Sequence, residues 1–170
     1  MIRIPSFAAA TAAALVALAS AAGAAPTEQE AAKSMAFLVG TWNCAHTVGD
    51  FSGTYTERFE RAMGGRWLKQ TYDFPATQQE PAVHAEYFFE YDPRGAGRWI
   101  RFGAHSNGQY YGMRSTSTGD TGWNWNYVLP APGGSATWTK KSDTEYTIDG
   151  PSYPENGRTV TEHHDCKKTR

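Results

Sequence analysis

The sequence predicts an all-β protein, an up-and-down antiparallel meander of about ten strands that closes into a barrel behind a short N-terminal helix. Three observations carry that expectation. Beyond residue 40 the chain repeatedly alternates apolar and polar residues at period two, broken by Gly, Pro, Asn and Asp. Aromatic residues make up 14% of the chain and glycines number 17, which suits many short strands joined by tight turns. The two cysteines, Cys44 and Cys166, fall in the first and last strand-like segments.

The N-terminus is read as an export signal. Arg3 is followed by an Ala- and Leu-rich run from Phe7 to Ala19 and then by small residues through Ala25, the order of a secretory leader. We assign residues 1–24 to the signal peptide, with Ala22-Gly23-Ala24 at the cleavage site, and residues 25–170 to a single domain. The apolar run is dominated by Ala and falls short of the roughly 20 strongly apolar residues that a span requires, so no stable membrane insertion is expected. The expected location is periplasmic or secreted. Sixteen Lys and Arg stand against 17 Asp and Glu, a balance that argues against nucleic acid as a partner.

In chain order, Thr27 to Met35 carries an N-cap Thr with Glu30 at the capping-box position, which predicts a short helix over the barrel's end. Phe37-Leu38-Val39-Gly40-Thr41-Trp42-Asn43-Cys44 then starts the fold. A first strand from Thr41 to Val48 turns at Gly49-Asp50, a two-residue type II′ hairpin. Pairing Val48 with Phe51 sets His46 opposite Gly53, Cys44 opposite Tyr55 and Trp42 opposite Glu57 on the inner face, together with Phe59. Gly64-Gly65 leads into Arg66 to Phe74, and Thr77 to Pro81 is a loop at the rim. In the next strand Val83, Ala85, Tyr87, Phe89 and Tyr91 point inward. After a turn at Asp92-Pro93-Arg94-Gly95, Asn107-Gly108 reads as a second two-residue hairpin pairing Ser106 with Gln109. That register turns Ile100, Phe102, Ala104, Tyr111 and Met113 inward and leaves Trp99, Arg101 and His105 outside. Trp123, Trp125 and Tyr127 alternate with outward amides, Trp138 and Tyr146 mark two short inward strands, and a Gly150 to Gly157 loop precedes a last strand from Arg158 to Lys168.

In an oxidising compartment a disulfide between Cys44 and Cys166 is expected. It would pin the seam and place His46 opposite His164 and Val48 opposite Glu162. The plainer reading of these residues is a staple with polar groups above it. The alternative is a metal site on His46 and His164, since the two cysteines and two histidines offer thiols and imidazoles on adjacent strands; His163 points to the opposite face. A barrel of about ten strands is wider than side chains alone fill. Its interior is therefore either a filled core, acting through its surface, or a pocket for a small hydrophobic or aromatic molecule. The pocket candidates are Trp42, His46, Tyr55, Glu57, Tyr87, Phe89, Tyr111, Trp125 and His164. No nucleophile elbow, phosphate loop, dinucleotide fingerprint or H-E-x-x-H string is present, so a non-catalytic binder is the leading reading.

Gly40-x-Trp42, a few residues into the mature chain and ahead of a long run of strands, resembles the opening of the lipocalin-like (calycin) barrels, where the Trp plugs the closed end. The resemblance is to uncharacterised bacterial secreted members and implies the fold without a role. A weaker resemblance is to the nitrobindin-like haem barrels, with a G-x-W-x-G-x-G opening and a late haem-ligating His; it implies haem as an alternative cofactor on His164 or His163, with redox or isomerase activity. In this chain the two later glycines are Cys44 and His46.

Overall fold

A computed structural model of the chain describes residues 27–77, 81–94, 97–116, 121–130, 133–155 and 158–169. The expected signal peptide, part of the Thr77 to Pro81 loop and Gly95 of the following turn lie outside these. Helix α1 is Glu28–Ser34, and its capping box forms as the sequence dictates: the Thr27 hydroxyl accepts from the Glu30 amide while the Glu30 carboxylate takes the Thr27 N–H. A 3-10 turn, Ala36–Leu38, leads into ten strands. These are β1 (Gly40–Val48), β2 (Phe51–Ala62), β3 (Trp67–Phe74), β4 (Val83–Asp92), β5 (Arg98–His105), β6 (Tyr110–Ser115), β7 (Gly122–Leu129), β8 (Ser135–Lys140), β9 (Glu145–Glu155) and β10 (Arg158–Lys168). Each pairs antiparallel with its sequence neighbours, and β10 returns to β1, so the barrel is closed. Closure pairs each strand on both sides along at least part of its length. Among the described residues no helix is long and apolar enough to cross a membrane.

The seam has the register that the turn and the cysteines imply. Val48 pairs with Phe51, Cys44 with Tyr55 and Trp42 with Glu57 on one side; Cys44 pairs with Cys166, His46 with His164 and Val48 with Glu162 on the other. The sulfurs of Cys44 and Cys166 are bonded across 122 residues of sequence. One end of the barrel is plugged. Trp42 is fully buried and its indole N–H donates to the Leu38 carbonyl at 2.7 Å. Tyr146 meets Trp42 edge-on at 4.8 Å and stacks on Trp138, while Phe89 meets Trp125 edge-on. Helix α1 and the 3-10 turn close this floor from outside with Ala31, Met35 and Leu38.

Two expectations are corrected. The β5–β6 hairpin pairs Ala104 with Tyr110 and Gly103 with Tyr111, and the His105 amide bonds the Gln109 carbonyl. Ser106, Asn107 and Gly108 therefore form a three-residue connection, with Gly108 at φ 90°, instead of a two-residue turn. One residue of register exchanges the faces of β5. Trp99 and Arg101 are buried and His105 turns inward, whereas Phe102 lies outside at 46% exposure, against Phe88 and Trp67. Gly103, facing the interior, leaves room for the Tyr87 ring, which a Cβ there would meet at 2.6 Å. The second correction is that β9 runs on through Pro151 and Pro154 to Glu155. Its ladder with β8 ends at Asp149, so beyond that point only the β10 side needs amide donors and proline is tolerated.

Removing the crosslink with Cys44→Ala and Cys166→Ala should lower stability by about 4 to 5 kcal/mol in the chain-entropy model, read from urea midpoints. The β5 register is checked by paired truncations. Trp99→Ala should cost about 3 to 5 kcal/mol and Phe102→Ala about 1 or less, whereas the reverse order would restore the two-residue hairpin.

Candidate functional site

Above the aromatic floor the barrel is hollow. A cavity of about 440 Å³ opens at the end opposite α1. His46, Tyr55, Tyr87, Tyr111 and His164 line it; Trp42, Glu57, Phe89 and Trp125 lie in the floor beneath, fully buried and outside the lining. Alternation states which face a residue takes but not its depth along the barrel axis. The wall also holds Tyr72, Phe74, Arg101, His105, Tyr127, Trp138, Ile148 and Glu162, and Pro75, Thr77 and Pro81 stand at the rim.

Arg101 is the residue that sequence reasoning missed, for the reason of register given above. It is 7% exposed, and its guanidinium carbon lies over the Tyr87 ring, 3.6 Å from the centroid. One terminal nitrogen donates to Gln70 Oε1 at 3.1 Å and the other points at Met113 Sδ at 2.9 Å. Its Nε has no hydrogen-bond partner among the described residues. No carboxylate there forms an ion pair with it. The one signal in the sequence was Gly103 beside it, a residue without a side chain directly opposite Tyr87.

Gln70 relays Arg101 to Glu57, donating to Glu57 Oε2 at 2.6 Å. Burial pushes the Glu57 carboxyl up to about 8, against the lowering effects of Gln70 and Arg101. At neutral pH it is mainly the neutral acid, and its other oxygen sits 3.3 Å from Cys44 Sγ in the disulfide. Glu57 thus leaves the Arg101 charge without a full counter-ion. The hydroxyl groups around it are neutral as well. Burial holds Tyr55 and Tyr72 well above the usual phenol range and pushes Tyr127 up to about 12. Burial, with Arg101 nearby, lowers His105, whose Nε2 lies 2.8 Å from both the Tyr72 and the Tyr87 hydroxyls.

At the seam side of the mouth, His164 Nδ1 is 2.9 Å from the Tyr55 hydroxyl and its Nε2 is 2.8 Å from Glu162 Oε1. His46 stacks on His164 with ring centroids 4.5 Å apart. Burial depresses His164 despite Glu162. Burial alone would raise Glu162, but His164 and His46 outweigh it and hold the carboxyl well below its ordinary value. His164 Nε2 is turned to Glu162 Oε1, and His163 points outward into an ion pair with Asp149 at 2.7 Å.

No family model matches the chain, and no curated protein matches it in sequence. Among solved structures, Rv2717c from M. tuberculosis aligns with a TM-score of 0.57 at 12% identity, over 82% of this chain and 98% of that one. The likeness shows a shared barrel fold. A redesigned β-barrel aligns over 83% of this chain and 96% of its own at 12% identity with a TM-score of 0.47. EF1p2_mFAP2b bound to DFHBI aligns over 84% and 100% at 13% identity with a TM-score of 0.35.

Glu57 gives the fold a pH dependence of definite sign. Its folded value lies above its ordinary one, so the folded state holds the proton more tightly, and stability is lost as pH rises from 4.5 to about 8. The slope from this group is at most about 1.4 kcal/mol per pH unit. Glu57→Gln keeps an acceptor for Gln70 and carries no charge. Urea midpoints measured across this range should fall in the wild type relative to Glu57→Gln; parallel pH profiles would mean that Glu57 is not buried as a neutral acid.

Proposed function

We propose that the barrel is a non-catalytic binder of a small amphipathic anion, an aromatic or apolar body carrying a carboxylate or similar head group. The observation that carries this reading is Arg101, a buried cation in the cavity wall with, among the described residues, no carboxylate ion pair and an unused Nε donor. Burying a guanidinium without an anion is unfavourable, and a forked donor of this kind matches a carboxylate in charge and geometry. The rest of the wall suits the body of such a ligand. Tyr55, Tyr72, Tyr87, Tyr111 and Tyr127 offer ring faces with neutral hydroxyls at their ends, and Phe74 and Ile148 add apolar surface. The disulfide supports an exported setting, where a ligand from the surroundings reaches the open mouth.

The test is titration of exported protein with a naphthalene or anthracene carboxylate, read by quenching of tryptophan fluorescence, alongside the uncharged amide of the same ring. The carboxylate should bind and the amide should bind more weakly. Arg101→Met should weaken the carboxylate by roughly 10- to 150-fold, the value of a charged hydrogen bond, while leaving the ligand-free fold as stable or more stable. Carboxylate affinity should also fall as pH rises through about 8, because ionised Glu57 then neutralises Arg101 through Gln70; in Glu57→Gln this pH dependence should vanish. Equal affinity of wild type and Arg101→Met would remove the anion from the reading.

A further inference from the structure

We infer that His46, His164 and Glu162 form a binding site for a single divalent transition-metal ion, Zn²⁺ or a close relative, at the cavity mouth. One donor atom from each residue lies within 4.8 Å of the others. His46 Nε2 is 3.3 Å from Glu162 Oε1, and His164 Nε2 is 2.8 Å from the same oxygen. In a tetrahedral site with bonds of about 2.0 to 2.1 Å the ligand atoms stand about 3.3 to 3.4 Å apart, so small side-chain rotations suffice. Two imidazoles and one carboxylate are a donor set that zinc uses with a fourth position left open, and here the open side faces the cavity.

The backbone places these ligands with little freedom. His46 and His164 are directly opposed on β1 and β10, two residues along each strand from the bonded Cys44 and Cys166. Glu162 lies on the same face of β10. The ladder with β9 shifts register between Thr161 and His163, so Gly150 and Pro151 stand against Glu162 alone, a bulge of the kind that re-aims a side chain. A Cβ on Gly150 would lie 2.7 Å from Glu162 Cβ and 2.9 Å from Oε2; the missing side chain leaves the carboxylate its place beside the histidines. The Tyr55 oxygen, 2.9 Å from His164 Nδ1, accepts a hydrogen bond from its N–H when Nε2 turns to a metal, filling the outer-partner role that fixes the tautomer of a ligating histidine.

A plain hydrogen-bonded staple accounts for these residues less well. Both ring nitrogens of His46 are buried with no aligned hydrogen-bond partner among the described residues; Glu162 is within ion-pair distance of one but off its axis. At Nε2, the nitrogen facing Glu162, a metal bond would remove the desolvation cost. This inference stands apart from the anion reading, since it uses none of the Arg101 geometry.

The experiment takes oxidised, exported protein stripped with EDTA and titrates it with Co²⁺, followed by Zn²⁺. One equivalent of Co²⁺ should bind with a visible d–d band that Zn²⁺ abolishes, and Zn²⁺ should raise the melting temperature. His46→Gln should lose stoichiometric binding, and Tyr55→Phe should weaken it by about 10-fold or more. Because His46 makes no hydrogen bond among the described residues, His46→Gln keeps the near-UV dichroism of wild type and carries the test even if His164→Gln fails to fold. Absence of Co²⁺ uptake by folded, disulfide-bonded protein, or uptake unchanged in His46→Gln, would overturn the inference. Carboxylate titration of the metal-free protein reports separately on the anion site.

Discussion

The pairing of β1 with β10, crosslinked between Cys44 and Cys166, is the constraint on which the rest of this barrel depends. A meander of ten strands does not close unless its ends meet in one register, and a slip of one residue would turn every side chain at the seam to the opposite face. The crosslink forbids that slip. It also holds the two histidines opposite each other, keeps Tyr55 beside His164, and presents an apolar sulfur surface to Glu57, whose neutrality at physiological pH leaves Arg101 charged and uncompensated. Closure, the mouth cluster and the charge in the cavity wall are thus linked through neighbouring positions on β1, β2 and β10.

The interior divides along the barrel axis. Its lower part is filled by Trp42, Phe89, Trp125 and Tyr146, with Trp138 between it and the cavity, and contributes the apolar burial that stabilises the fold. Its upper part keeps polar groups in a cavity, an arrangement that stability alone does not explain. A buried guanidinium and unpartnered imidazole nitrogens carry desolvation costs that an apolar wall would avoid. Their placement around one opening is the physical case for a ligand.

The seam was legible in the sequence because two constraints agreed. Gly49, which takes φ 55°, fixes the β1–β2 turn, and the two cysteines fix β1 against β10, so His46, Tyr55 and His164 fall together by counting alone. The β5–β6 hairpin had a single constraint. Asn107-Gly108 signals a turn but does not separate a two-residue connection from a three-residue one, and that ambiguity sent Arg101 to the wrong face. Two prolines likewise suggested a loop where β9 continues along its singly paired edge. Period two could not separate floor from wall either, which is why Trp42, Glu57, Phe89 and Trp125 were grouped with residues that line the cavity.

The central claim is that Arg101 receives an anion inside the barrel. A crystal structure of the disulfide-bonded protein soaked with a brominated aromatic carboxylate tests it most directly, because the anomalous signal of bromine fixes the orientation of the ring. The account predicts the carboxylate on the Arg101 guanidinium, with Nε now bonded, and the ring among the cavity tyrosines. A ring in the cavity with its carboxylate turned away from Arg101, or bound only outside the barrel, would contradict it.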